Sequence, residues 1–157
     1  MPEPNESIAE QIAQDVETTL RQIRRVDGYW HDIDEHQVSS EELTIEQLID
    51  AEMPHLMIML GDSSLETEIM PKKVTDDLEV MIDGIIKETD RSKQRLAQER
   101  LIRDVLKKIQ TDTTRNALAL WTKVVSVERF GSAIGYDDFM PFRITLEVTY
   151  RYVWTVP

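Results

Sequence analysis

The chain has 157 residues, 30 of them acidic and 18 basic, for a net charge of −12, with 41% hydrophobic residues and no cysteine. That length and apolar content suit a single domain spanning residues 1–157 with a hydrophobic core, not a disordered chain. The lack of cysteine excludes a disulfide framework, thiolate metal sites and a thiol nucleophile. No run approaches the roughly 20 apolar residues of a membrane-spanning helix. The opening residues are acidic, unlike a signal peptide, so the cytoplasm is the expected setting.

The charge is split. Residues 1–70 hold 17 acids against 3 arginines, whereas residues 71–157 hold 13 acids against 15 bases. Between Arg25 and Lys72 there are 12 acids and no Lys or Arg. This half repels nucleic acid, whose grip needs clustered cations, and attracts basic protein surfaces. Simple solubility is the plainer reading of the same charge.

In chain order, the first element is an amphipathic helix over residues 5–25. Ile8, Ile12, Val16, Leu20 and Ile23 recur at helical spacing. Ser7 and Glu10 form a capping box, Arg21, Arg24 and Arg25 suit the C-terminal end of the dipole, and Gly28 stops the helix. Residues 29–52 predict a strand around Tyr29, Trp30, Ile33 and Val38, then a helical turn or loop begun at Ser39 or Ser40. The apolar run Leu56 to Leu60 predicts a buried strand that turns at Gly61-Asp62. Residues 66–73 read as extended or loop. Leu78, Val80 and Ile82 place a second core strand over 77–87, with a bulge expected at Gly84.

A second helix is expected over residues 91–110, capped by Asp90 or Ser92. Leu101, Ile102, Val105, Leu106 and Ile109 form its apolar face, and Arg100, Arg103, Lys107 and Lys108 make it the basic element of the chain. Residues 120–130 predict a strand, 131–135 a loop, and 141–154 a long strand. There Phe142, Ile144, Leu146, Val148, Tyr150, Tyr152 and Trp154 alternate with Arg143, Thr145, Glu147, Thr149 and Arg151, one face buried and one wet. The sum is an α+β fold: an antiparallel or mixed β-sheet packed against two main α-helices, with a long C-terminal β-hairpin.

A search for chemistry returns little. No glycine-rich phosphate loop, Gly-x-Ser-x-Gly elbow or His-Glu-x-x-His helix occurs. The stretch His31-Asp32-Ile33-Asp34-Glu35-His36 has metal-ligating residue types, but neither helix nor strand puts both histidines on one face. It reads as a polar loop or strand edge, and no metal or other cofactor is expected. Asp76-Asp77 and Asp137-Asp138 read as solvated turns, and His55 as a structural histidine. Met57, Met59 and Met81 are expected in the core, while Met53, Met70 and Met140 stand near segment ends and suit contacts.

An interaction protein should show apolar residues that folding does not require. Phe130, Ile134, Tyr136, Phe139 and Met140 flank the loop between the last two strands, where polar residues are usual. Either they meet a partner or they fold back on the sheet end. With Arg100 and Arg103 they are the candidate interface residues. The long last strand is expected to offer an edge to another subunit.

The helix leading to an aromatic segment, "AQDVETTLRQIRRVDGYW", the strand "PHLMIMLGD", the charged helix "RLAQERLIRDVLKKIQTD" and the alternating "FRITLEVTYRY" together resemble the tail terminator, or tail-completion, proteins of long-tailed bacteriophages. The likeness lies in order, lengths and texture over most of the chain; residues 39–52 and 66–76 have no counterpart in it. It implies a non-enzymatic virion protein of the tail and neck, assembled in the host cytoplasm. Such a protein forms a homohexameric ring that caps the tail tube protein and stops its polymerisation. Its opposite face meets the head-completion, or stopper, protein. Genomic DNA passes through without being read, and an acidic lumen would keep it from sticking. Asp62, Glu66 and Glu68 are the expected lumen or rim residues. Two other classes remain: an acidic adaptor or regulatory domain that binds a basic protein, and a metal-dependent enzyme working through residues 31–36.

Overall fold

The structure is a computed structural model that describes residues 7–41, 43–69, 72–132 and 136–153. Helix α1 (Ile8–Leu20) starts at the expected capping box, with Ser7 Oγ accepting from Glu10 N–H and the Glu10 carboxylate accepting from Ser7 N–H. It ends five residues early. Arg24 and Arg25 lie beyond it and hold the next loop instead: Arg24 donates to the carbonyls of Ile23 and Ile33, and Arg25 Nε to that of Trp30. Gly28 has φ +91, a left-handed position that glycine occupies without steric cost.

Residues 29–34 form no strand. The N–H groups of Trp30 and His31 donate to the buried carboxylate of Asp104, that of Ile33 to the Ile23 carbonyl and that of Asp34 to Gln37 Oε1, none of them to a neighbouring strand. A two-residue strand, β1 (Val38–Ser39), and a short helix, α2 (Ile45–Asp50), follow. The cap of α2 is Thr44, boxed with Gln47, and neither Ser39 nor Ser40 starts it.

Strand β2 (His55–Glu68) does not turn at Gly61-Asp62. It bulges between Leu60 and Ser63 and runs on to pair with β3 (Lys73–Lys87). Helix α3 (Gln94–Ile109), β4 (Trp121–Arg129) and β5 (Phe139–Val153) complete the fold. The sheet order is β1-β2-β3-β5-β4, antiparallel except for the β1–β2 pair. The last strand is therefore interior. The edges are β4 on one side and, on the other, β1 with the part of β2 that β1 leaves uncovered among the described residues. Met70, Ile134 and Trp154 lie outside the described residues.

Helices α1 and α3 cover one face of the sheet. Ile12, Val16 and Leu20 of α1 and Leu101, Ile102, Val105 and Ile109 of α3 pack on Leu78, Val80 and Ile82 of β3 and on Phe142, Ile144, Leu146 and Val148 of β5. Fully burying each such side chain contributes about 1.5–3 kcal/mol. Gly84 marks no bulge; its register with Phe142 is regular. A Cβ at this position would stand 2.1 Å from Phe142 Cζ, so the glycine makes room for that ring.

Two expectations about burial are corrected. Met59 and Met81 are register partners, half-buried on the helix-free face and not in the core; an apolar run gives no face by itself. Asp76-Asp77 is no turn but part of β3. Asp76 is buried on the helix side, where it accepts hydrogen bonds from Tyr150 Oη (2.6 Å) and Ser63 Oγ (3.1 Å), and burial with this partner raises the Tyr150 phenol above its usual range. Asp77 points to the opposite face and accepts from Thr149 Oγ1 at 2.6 Å.

His55 is buried at the start of β2, with Nε2 3.1 Å from Ser39 Oγ and no partner for Nδ1 among the described residues. Burial holds its pKa below the ordinary value. The unfolded chain thus takes up the proton first, and stability falls as pH drops from about 6.5 towards the lowered folded value. We predict that the wild type loses urea resistance between about pH 7.5 and 5.5 and that His55→Gln loses less. Equal losses in both proteins would refute this role.

Candidate interaction surfaces

The helix-free face of the sheet carries the charge. Along β3 it presents Thr75, Asp77, Glu79, Met81 and Asp83; along β5 Arg143, Thr145, Glu147, Thr149 and Arg151. Glu79 and Glu147 are direct register partners, an arrangement that like charges disfavour. Lys123, opposite Glu147 on its other side, offsets part of this. Arg143 grips Asp83 through Nε (2.7 Å) and Nη2 (2.9 Å). That bond, together with Glu128 and Glu79, holds the guanidinium pKa above its ordinary range. Asp62, Ser64, Asp77, Glu79, Thr145 and Glu147 line a shallow hollow in the middle of the face.

Asp62, Glu66 and Glu68, expected at a lumen or rim, all stand exposed on the outer part of β2. Asp62 joins the hollow through the β2 bulge. Glu66 and Glu68 pair in register with Thr75 and Lys73, nearer the hairpin tip. Among the described residues none of the three belongs to an ion pair.

On the other side of the molecule, α3 and the loop after α1 form a basic and aromatic surface. The Arg100 guanidinium lies 4.3 Å from the Trp30 ring centroid, and Lys107 Nζ lies 4.5 Å from that of Tyr29. Such stacks contribute about 0.5–1 kcal/mol when exposed. Asp104 fixes the loop by accepting from the N–H groups of Trp30 and His31, and it meets His31 Nδ1 at 2.7 Å. Arg100 is thus engaged within its own chain, whereas Arg103 is exposed beside a groove lined by Gly28, Trp30, Leu106, Lys107 and Gln110. His36 is exposed in a short 3-10 turn. Among the described residues no group of three or more His, Asp or Glu side chains is placed to hold a metal ion.

Among the described interface candidates Phe130, Tyr136, Phe139 and Met140, Phe130 is the most exposed. Its carbonyl and that of Pro141 both accept from Gln98 Nε2, which ties the turn to α3. Tyr136 and Phe139 are half-buried, with Phe139 N–H donating to the Tyr136 carbonyl and Lys87 Nζ 5.7 Å from the Phe139 ring centroid. Met140 is half-buried against the core. Of these three, Met140 is the one that packs back on the core.

The buried polar groups Asp104 and Arg115 were not singled out as site residues from the sequence. Only tertiary contacts distinguish them from the other charges around them. Among the described residues no helix is long and apolar enough to cross a membrane. Comparison with protein-family models and with curated protein sequences finds no match to this chain.

Proposed function

We propose that the chain is a non-enzymatic structural protein that closes the tail tube of a long-tailed bacteriophage as a ring, stopping tube growth and joining the tail to the head. The observation that carries this reading is the sheet with two unlike faces. One is sealed by α1 and α3, and the other carries no helix among the described residues and has Asp62, Asp77, Glu79 and Glu147 at its centre. A helix-free acidic sheet face suits a channel through which DNA moves without sticking, because like charge opposes phosphate contacts. The hexamer, the tube and stopper contacts and the virion setting rest on the likeness in element order and texture.

The test is to add the purified chain to growing or preformed tail tubes, measuring native mass in parallel and imaging tube ends in negative stain. The expected result is a ring of copies on one tube end and an arrest of elongation. A chain that neither associates with itself nor binds tube protein would sink the proposal. A monomer that captures a basic protein through residues 27–68 would favour the adaptor reading instead.

A further inference from the structure

The four long strands run in strict alternation. β2 and β5 point one way, and β3 and β4 the other. The two ends of the sheet are therefore edges of opposite direction. A second copy, rotated about an axis along the strands, would lay its β2 beside β4 of the first copy with the antiparallel alternation unbroken. Among the described residues β1 covers only Leu56 and Met57 of β2, and no strand lies beside the outer side of residues 58–68. The outer side of β4 has no neighbouring strand among the described residues.

We propose that copies of this chain join edge to edge, residues 58–68 of β2 pairing with β4 of the next copy, so that the sheet continues from subunit to subunit. Three observations select this occupant. Charge comes first: residues 58–68 carry Asp62, Glu66 and Glu68 and no base, while β4 carries Lys123 and Arg129 against Glu128. Pairing β2 with its own copy sets carboxylates against carboxylates, whereas pairing it with β4 sets them near bases. The second is apolar exposure. Leu60 (41%) and Leu65 (59%) on one edge, and Trp121 (50%) and Val125 (55%) on the other, are open to solvent. Proteins that keep an edge unpaired blunt it with charge and avoid such residues. The third is curvature. Each edge strand carries a register shift, between Leu60 and Ser63 and between Val124 and Ser126. Bulges bend and twist a strand, as a sheet closing on itself requires.

Closure of this sheet into a ring rests on the function proposed above; the edge pairing itself does not. The chain has no cysteine, so engineered ones report cleanly. Ser64 of β2 and Lys123, Ser126 and Glu128 of β4 all lie on the helix-free face. Ser64→Cys would be combined in turn with Lys123→Cys, Ser126→Cys and Glu128→Cys, and each variant oxidised mildly at high protein concentration. At least one combination is expected to give a ladder beyond dimer on a non-reducing gel, while each single-cysteine variant stays a monomer. No ladder from any folded combination, or dimers from a single-cysteine variant, would overturn the pairing. Leu65→Lys with Val125→Lys, both at exposed positions, should keep the native circular dichroism spectrum and lose self-association. If that variant still forms rings, the edge pairing fails and the terminator reading stands. If the cysteines cross-link but the assembly ignores tube ends, the pairing stands and the terminator reading falls.

Discussion

Leu146→Asp is expected to yield no folded protein, while Thr145→Asp, one residue away, is expected to fold. Leu146 is fully buried between its register partners Val80 and Val124, beneath the helices. A carboxylate there would lose its hydration with no donor to replace it, and the packing of the leucine would go as well. The loss should exceed about 4 kcal/mol, a large share of the roughly 5–15 kcal/mol that holds a domain together. Thr145 is half-buried on the opposite face, in the hollow with Asp77, Glu79 and Glu147. A new carboxylate there meets like charge but keeps water, so a cost of about 1 kcal/mol or less, eased by salt, is expected. Soluble yield and urea unfolding in low and high salt decide the matter. Comparable collapse of both variants would mean that the helix-free face is buried too.

This contrast could be written from sequence because strict alternation over residues 141–154 fixes which side chains share a face. The packing of Phe142, Ile144, Leu146, Val148 and Tyr150 follows that pattern. The helix starts were partly legible. Ser7 with Glu10 caps α1, a local chemistry. Asp90, by contrast, accepts from Ser92 N–H to cap a 3-10 turn over Arg91–Lys93, and α3 begins only after it, at Gln94, without a side-chain cap. What could not be read depends on distant partners. Tyr29, Trp30 and Ile33 look like a strand, yet Asp104, more than 70 positions away, takes the N–H groups of Trp30 and His31. Residues 62–68 follow the turn expected at Gly61-Asp62, and from 66 on the sequence reads as extended or loop. They remain in a strand because β3 pairs with them, not because they are buried.

The candidate surfaces divide in the same way. Asp62, Glu66 and Glu68 were recognisable as exposed acid because no base surrounds them in sequence. Which strands end the sheet is a matter of topology. The expectation that the last strand offers an edge fails because β4, which precedes it, lies outside it. The tie of the last hairpin to α3 through Gln98, and the packing of Met140 on the core, likewise depend on contacts distant in sequence.

Arg115→Met is the second substitution with a large expected effect, and it concerns a residue whose role only the fold reveals. Arg115 is fully buried, in a left-handed run with Asn116 and Ala117. Its Nη2 donates to the carbonyl of Ile109, the last residue of α3, at 2.6 Å, where a cation suits the negative end of the helix dipole. Its Nη1 lies 3.6 Å from Asp15 Oδ2 and so ties α1 to that helix end. Burial pulls the arginine pKa down and pushes that of Asp15 up, and each charge partly restores the other. Methionine fills similar space but leaves the Ile109 carbonyl without this donor and Asp15 without its countercharge. Removing one partner of a buried pair costs about 3–5 kcal/mol. Asp15 can escape part of this by taking a proton. Its folded pKa, already above the ordinary carboxylate value, should rise further in the variant. The folded state then binds the proton more readily than the unfolded chain, so the variant should regain stability as pH falls through that raised value. Adding Asp15→Ala should recover part of the loss at neutral pH, because no uncompensated charge remains. Urea unfolding of the wild type, both single variants and the double variant completes the cycle. A cost below about 1 kcal/mol for Arg115→Met would show that the buried guanidinium does not hold α1 and α3 together.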